Sequence, residues 1–129
     1  MPDIDILAVA AVTVLAFVLS GAYYAVLGDQ LATVSPAAAA GDAPGWTVAA
    51  ELARTLVVVT VVAGLAVETG TDGWAGGVLL GLALWVGFPL VLWVGALVHE
   101  RTPAKLAAIH AGDWLIKLPV VAAVVSAWP

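Results

Sequence analysis

Five side chains could do chemistry here: His110, Asp113 and Lys117, spaced by three and four residues, and Glu51 and Arg54, spaced by three. On a helix these spacings put His110, Asp113 and Lys117 on one face and Glu51 and Arg54 on a face of another helix. A histidine beside a carboxylate can relay protons, and two carboxylates set against two cations can hold charge away from water. What such groups can do depends on their solvent, and composition identifies it.

Of 129 residues, 64% are hydrophobic and only 10% charged, more apolar surface than a soluble domain of this length can hide. Lipid is therefore the expected solvent. Hydrocarbon offers backbone groups no partners, so spans must be helices or a closed barrel. Long apolar runs without strand-like alternation predict an all-α membrane protein, a bundle of four transmembrane helices forming one domain. Nine acidic against four basic residues, a net charge of −5, leave no electrostatic footprint for nucleic acid. With no cysteine, thiolate metal sites and cysteine nucleophiles are excluded.

The first span is predicted from about 4 to 27, ending in Tyr23 and Tyr24, rings suited to the headgroup level. Ser20 and Ala22 could precede a signal-peptide cut, but Asp3 and Asp5 stand where a basic segment is needed, which favours a retained helix. Residues 28–45 turn polar, small and proline-bearing, and are expected to form a loop. The second span is expected over 46–67, because its strictly apolar part is too short for the roughly 20 residues a bilayer needs. Glu51 and Arg54 are thereby drawn into the membrane. The third span is expected over 74–98, preceded by a tight acidic turn. Gly73, Gly77 and Gly81 recur every four residues, a stripe that would let another helix, a second copy or a membrane partner approach closely. Pro89 is expected to bend this span, and Pro119 the fourth, over 104–128.

Arg54, Arg101 and Lys105 belong to the side that carries loops 28–45 and 99–105. The positive-inside rule makes that side cytoplasmic in a cell-membrane protein, with both termini outside. At 1.5 Å per residue, His110, Asp113 and Lys117 lie about 6, 10 and 16 Å below the start of the fourth span. Glu51 and Arg54 lie about 7 and 12 Å below the start of the second, from the same side. Matching depths predict Glu51 near His110 and Arg54 near Asp113, with Lys117 reaching Asp113 one turn away. Mid-bilayer charges are costly enough to turn inward and pair. Arg54 also has the simpler option of snorkelling to the headgroups.

Other motifs are weaker. His99 and Glu100 form an HE pair, but Pro103 stands where HExxH needs its second histidine. His99, Glu100 and His110 could meet a metal only through a special loop geometry, and no metal or cofactor is expected. Trp46, Trp74, Trp93, Trp114 and Trp128 are expected at helix ends or packing faces, with a substrate cage as the other reading.

Several stretches resemble the DUF1761 family of small membrane proteins. The family's glycine-rich third helix, GxxLGxxLWxGF, is similar to GGVLLGLALWVGF from Gly76 to Phe88. Its loop FEGRPxKL is similar to HERTPAKL from His99 to Leu106, and its INAGYxL to IHAGDWL from Ile109 to Leu115. GAYYAVL from Gly21 to Leu27 resembles the family's GxLWYSPL exit from the first helix. The resemblance implies four helices and no particular activity. Where relatives carry an Asn pair at the end of the third helix, this chain has Gly95 and Ala96. The Asn and aromatic of INAGY become His110 and Asp113.

The expected function is a small non-enzymatic structural or accessory membrane subunit, marked by a dry polar cluster. The alternative is an oligomeric transporter of a small molecule or proton, with Glu51, Arg54, His110, Asp113 and Lys117 lining a wet path. An enzyme acting on lipid is a third class, and no nucleophile–base pair or metal set on one face supports it.

Overall fold

The computed structural model describes residues 3–41 and 43–129, so Asp42, within the expected first loop, lies outside them. Six α-helices carry the described chain, and four helical rods are long and apolar enough to cross a membrane. The protein is an all-α bundle of these four.

The first rod, α1, runs Ile6–Ala32 and is capped by Asp5, whose carboxylate accepts the amide of Ala8 at 2.9 Å. It continues past Leu27, where a loop was expected. Gln30, Leu31 and Ala32 are good helix formers, and one interior glycine, Gly28, costs too little to stop them. A second helix, α2 (Pro36–Ala40), also falls within that expected loop. Ser35 caps it and Pro36 stands at its first turn, where a missing N–H costs nothing. The second rod, α3, is Trp46–Glu68.

The third rod is built in three parts: α4 (Gly73–Trp85), a π-helical turn (Val86–Leu90) and α5 (Val91–His99). Pro89 sits inside the π turn. The wider turn absorbs a residue that cannot donate to the helical ladder. Pro119 lies within α6 (Ala104–Ala127), which stays α-helical through it.

α6 is the axis of the bundle. It packs against α1 and α3 on one side and most closely against α4 on the other. Gly77 and Gly81 make that closeness possible. A Cβ on Gly77 would run into the backbone of Ala122 and Ala123, and one on Gly81 into that of Leu118 and Pro119. At Gly77 and Gly81 the glycine stripe expected to receive another helix receives α6 of the same chain. Gly73 is a correction: a Cβ there would meet nothing within 4 Å. Its φ of +72° starts α4 in the left-handed region, so it serves the turn rather than the packing.

The apolar core joins Val9, Val12 and Ala16 of α1, Val59, Val62 and Ala63 of α3, and Leu118, Val121 and Ala122 of α6. All nine lie in the half of the bundle nearest the termini. Small, branched side chains let three helices approach closely, and such packing supplies much of the association energy in lipid. Buried hydroxyls in these helices turn back on their own ladders, as Thr13 does to the Val9 carbonyl at 2.7 Å and Thr55 to that of Glu51 at 2.8 Å. In the other half, towards residues 28–45 and 99–103, the helices leave a hollow between them. Lys105 reaches Thr33 Oγ1 at 3.0 Å there, tying the two connections together at the surface.

Candidate intramembrane polar cavity

Where the valine and alanine core stops, the side chains become polar. Phe17, Ser20, Gly21 and Tyr24 of α1, Glu51, Arg54 and Thr55 of α3, Trp93 of α5, and His110, Asp113, Trp114 and Lys117 of α6 enclose a cavity of about 440 Å3. All five of the ionisable residues singled out by spacing are on its wall.

Asp113 and Lys117 form its floor. Both side chains are buried, with Lys117 Nζ 3.0 Å from Asp113 Oδ2 across one helical turn. Ser20 donates to Asp113 Oδ1 at 2.7 Å, and the ammonium of Lys117 lies 4.1 Å from the centre of the Trp114 ring. Each carboxylate oxygen therefore has a donor, and the cation has both an anion and an aromatic face. This is the satisfaction a charge pair needs to persist out of water.

The expected pairs between α3 and α6 are not made. Arg54 instead donates to Glu51 on its own helix, one turn back, and both remain substantially exposed, at 66% and 46% of their side-chain areas. The helical spacing i, i+3 lets the two charges meet without crossing between helices, and the gap between α3 and the third rod leaves room for them. His110 meets Tyr24 rather than Glu51. The Tyr24 hydroxyl and His110 Nδ1 share a hydrogen bond at 2.6 Å, and the imidazole stacks on Trp93 at 5.0 Å with 12° between the rings.

Matching depths in two helices left α1 out of account, yet among the described residues α1 and its C-cap Thr33 supply every side-chain hydrogen bond that reaches α6 from outside the third rod. Besides Ser20 and Tyr24, the Tyr23 hydroxyl donates to the carbonyl of Ile109 at 2.5 Å. Gly112 leaves the space that hydroxyl occupies. The signal was present in GAYY: two tyrosines in succession can point to headgroups, but they also put one hydroxyl on each of two adjacent helix directions. Among the tryptophans, Trp46 and Trp74 are exposed at the starts of α3 and α4, as anchors should be. Trp93 and Trp114 line the cavity, and Trp85 donates from Nε1 to the carbonyl of Ala111 at 2.8 Å.

Tyr24→Phe should cost about 1 kcal/mol, because it strips a part-buried imidazole nitrogen of its partner and leaves the packing of the ring unchanged. The midpoint of chemical unfolding in detergent checks it. A midpoint equal to the parent's would mean that the Tyr24–His110 bond does not hold α1 to α6.

The arrangement defines a class: a four-span helical membrane protein with an apolar core in the half nearest its termini and a hollow lined by a neutral set of paired charges in the other. Residues 7–126 match the family model described as a protein of unknown function, DUF1761, and the chain belongs to that family. No curated protein and no solved structure matches it.

Proposed function

We propose that this is a non-enzymatic membrane protein that binds a small polar or zwitterionic group inside the bilayer, as the binding step of a carrier. The observation that carries the reading is the cavity. Two charge pairs face it, each made within a single helix; Asp113 also accepts from Ser20 of α1, whereas Glu51–Arg54 joins no two helices. Charges kept in a membrane only to fix helix register would be expected to cross between helices, whereas this pair costs insertion energy and ties nothing together. Glu51 and Asp113 against Arg54 and Lys117 sum to zero, which suits a neutral or zwitterionic guest. The transporter alternative brings in an oligomer because four helices enclose little space. One chain already lines a hollow of about 440 Å3, which supports binding by a single copy.

The structural or accessory reading keeps one specific support: Ser20, Tyr23 and Tyr24 bolt α1 to α6 through the same polar groups. Orientation follows the basic residues. Arg54, Arg101 and Lys105 favour a cell-membrane protein with 28–45 and 99–105 in the cytoplasm, so the cavity lies in the cytoplasmic half.

The cysteine-free chain allows a direct test. Single cysteines at Thr55 and Gly21 on the cavity wall, at Val12 in the core and at Leu7 on the lipid face would be exposed in sealed membranes to an impermeant maleimide. Labelling of Thr55→Cys and Gly21→Cys from the cytoplasmic side alone is expected, with Val12→Cys and Leu7→Cys silent. Silent wall positions in folded variants would sink the binding reading in favour of a dry, structural cluster. Labelling from the outer side alone would reverse the topology.

A further inference from the structure

The polar cavity does not end at its aromatic wall. Arg54, Trp93 and Trp114 also line a second, larger hollow of about 700 Å3, whose other walls are apolar residues of α3 from Val57 to Leu65, Leu84, Phe88, Pro89, Leu92 and Ala96 of the third rod, and Leu118. It exists because the third rod packs on α6 and stands off from α3. Apart from Arg54 it is apolar, and it is a groove that lipid can enter from the side. From Arg54 to Leu65 it runs along α3 for about 16 Å, close to half of a hydrocarbon layer about 30 Å thick, which is the depth one acyl chain fills.

We infer that groove and cavity together form a site for one zwitterionic phospholipid, with an acyl chain lying between α3 and the third rod and the headgroup between Arg54, Glu51 and the Trp93–His110 wall. This rests on the reading of the cavity as a binding site and names its guest. Three observations converge on it. Polar and apolar hollows share a border, as an amphiphile requires. Arg54 stands on that border with a guanidinium able to grip a phosphate by two parallel hydrogen bonds. Glu51, already beside Arg54, is placed to take the ammonium that a zwitterionic head carries at its other end, with the ring faces of Trp93 and Tyr24 on the same wall.

Depth separates this site from the ordinary ring of lipid around any membrane protein. Arg54 lies about 12 Å below the start of α3, so a head held there sits well under the level of its leaflet, and its chain runs past the bilayer centre. A headgroup at that depth needs the polar groups the cavity provides, and a lipid so placed stands partway between leaflets.

Native mass spectrometry of the full chain, purified in mild detergent and equilibrated with equal amounts of phosphatidylethanolamine and phosphatidylglycerol, tests it. One phosphatidylethanolamine per chain is expected, retained about tenfold over phosphatidylglycerol, and reduced about tenfold by Arg54→Gln, as loss of a charge-assisted contact predicts. Val61→Trp, which fills the groove, should remove retention, while Leu79→Trp on the exposed face of α4 should not. If Val61→Trp fails to fold, Leu92→Trp on the facing wall gives the same readout. Equal retention of the two lipids, or equal loss in Leu79→Trp, would reduce the bound lipid to surface lipid and overturn the inference. No retained lipid together with maleimide-labelled cavity cysteines would overturn the lipid assignment alone. No lipid and no labelling would overturn the binding reading as well.

Discussion

Lys117→Met is expected to destabilise the protein by about 3–5 kcal/mol, the largest loss of any single side chain in the cavity, because it leaves the buried Asp113 carboxylate without its cation. The geometry makes the cost specific. Among the described residues, Lys117 Nζ is the only cation in contact with Asp113, at 3.0 Å, and Arg54 is committed to Glu51 on another helix. The double variant Asp113→Leu/Lys117→Met should recover most of that loss. It exchanges two desolvated charges for apolar volume, which is often neutral or stabilising. Ser20 would lose its acceptor, but its hydroxyl can turn back to its own helix as Thr13 does. Equilibrium unfolding in mixed micelles measures both, and a single variant within about 1 kcal/mol of the parent would contradict a dry, strongly coupled pair. The double variant also divides the two functional readings. If the pair serves architecture alone, a stable double variant keeps whatever the cavity binds. If it serves the guest, stability returns and binding does not.

The four rods were legible because hydrophobic run length is a one-dimensional property, and a run of about 20 apolar residues has few other uses. The residues of the polar cavity were legible for a related reason: charge is rare in such runs, so Glu51, Arg54, His110, Asp113 and Lys117 stand out wherever they fall. Their partners were not. Depth along a helix follows from counting, but the direction in which a face points does not, and Glu51 and Arg54 at the right depth turned out to meet each other across i, i+3. The contribution of α1 was hidden for a different reason. Serine and tyrosine are unremarkable in a membrane helix, and their hydroxyls become informative only when the carbonyl of Ile109, His110 and Asp113 are seen opposite them. The helix beyond Leu27 was missed because glycine and aspartate signal loops, while the run Gln30–Ala32 that overrode them is short and ordinary. At Pro89 the sequence predicts trouble in the ladder but does not determine whether the helix kinks or widens. The π turn is one of two local answers to the same missing N–H.

Glycines give the sharpest test of the packing, since the same substitution on one rod should have opposite consequences at two sites. Gly81→Ala should cost about 1–3 kcal/mol, and Gly81→Leu more, because the atoms in the way are the backbone of Leu118 and Pro119, which cannot swing aside as a side-chain end can. The only relief is for α4 and α6 to move apart, and α6 is the helix on which the third rod chiefly rests. Separation at Gly81 therefore propagates along that contact to Gly77, which faces Ala122 and Ala123 in the same way. The third rod forms one wall of both hollows, so Gly81→Leu should also widen the cavity mouth and raise the maleimide labelling of Thr55→Cys while lowering stability. Gly95→Ala on the same rod meets nothing within 4 Å, and trading glycine for alanine in a helix gains up to about 1 kcal/mol. Thermal unfolding of the two alanine variants side by side, in one detergent, decides the matter. If Gly81→Ala proves as harmless as Gly95→Ala, α4 and α6 do not lie in backbone contact, and the standing-off of the third rod that opens the groove loses its cause.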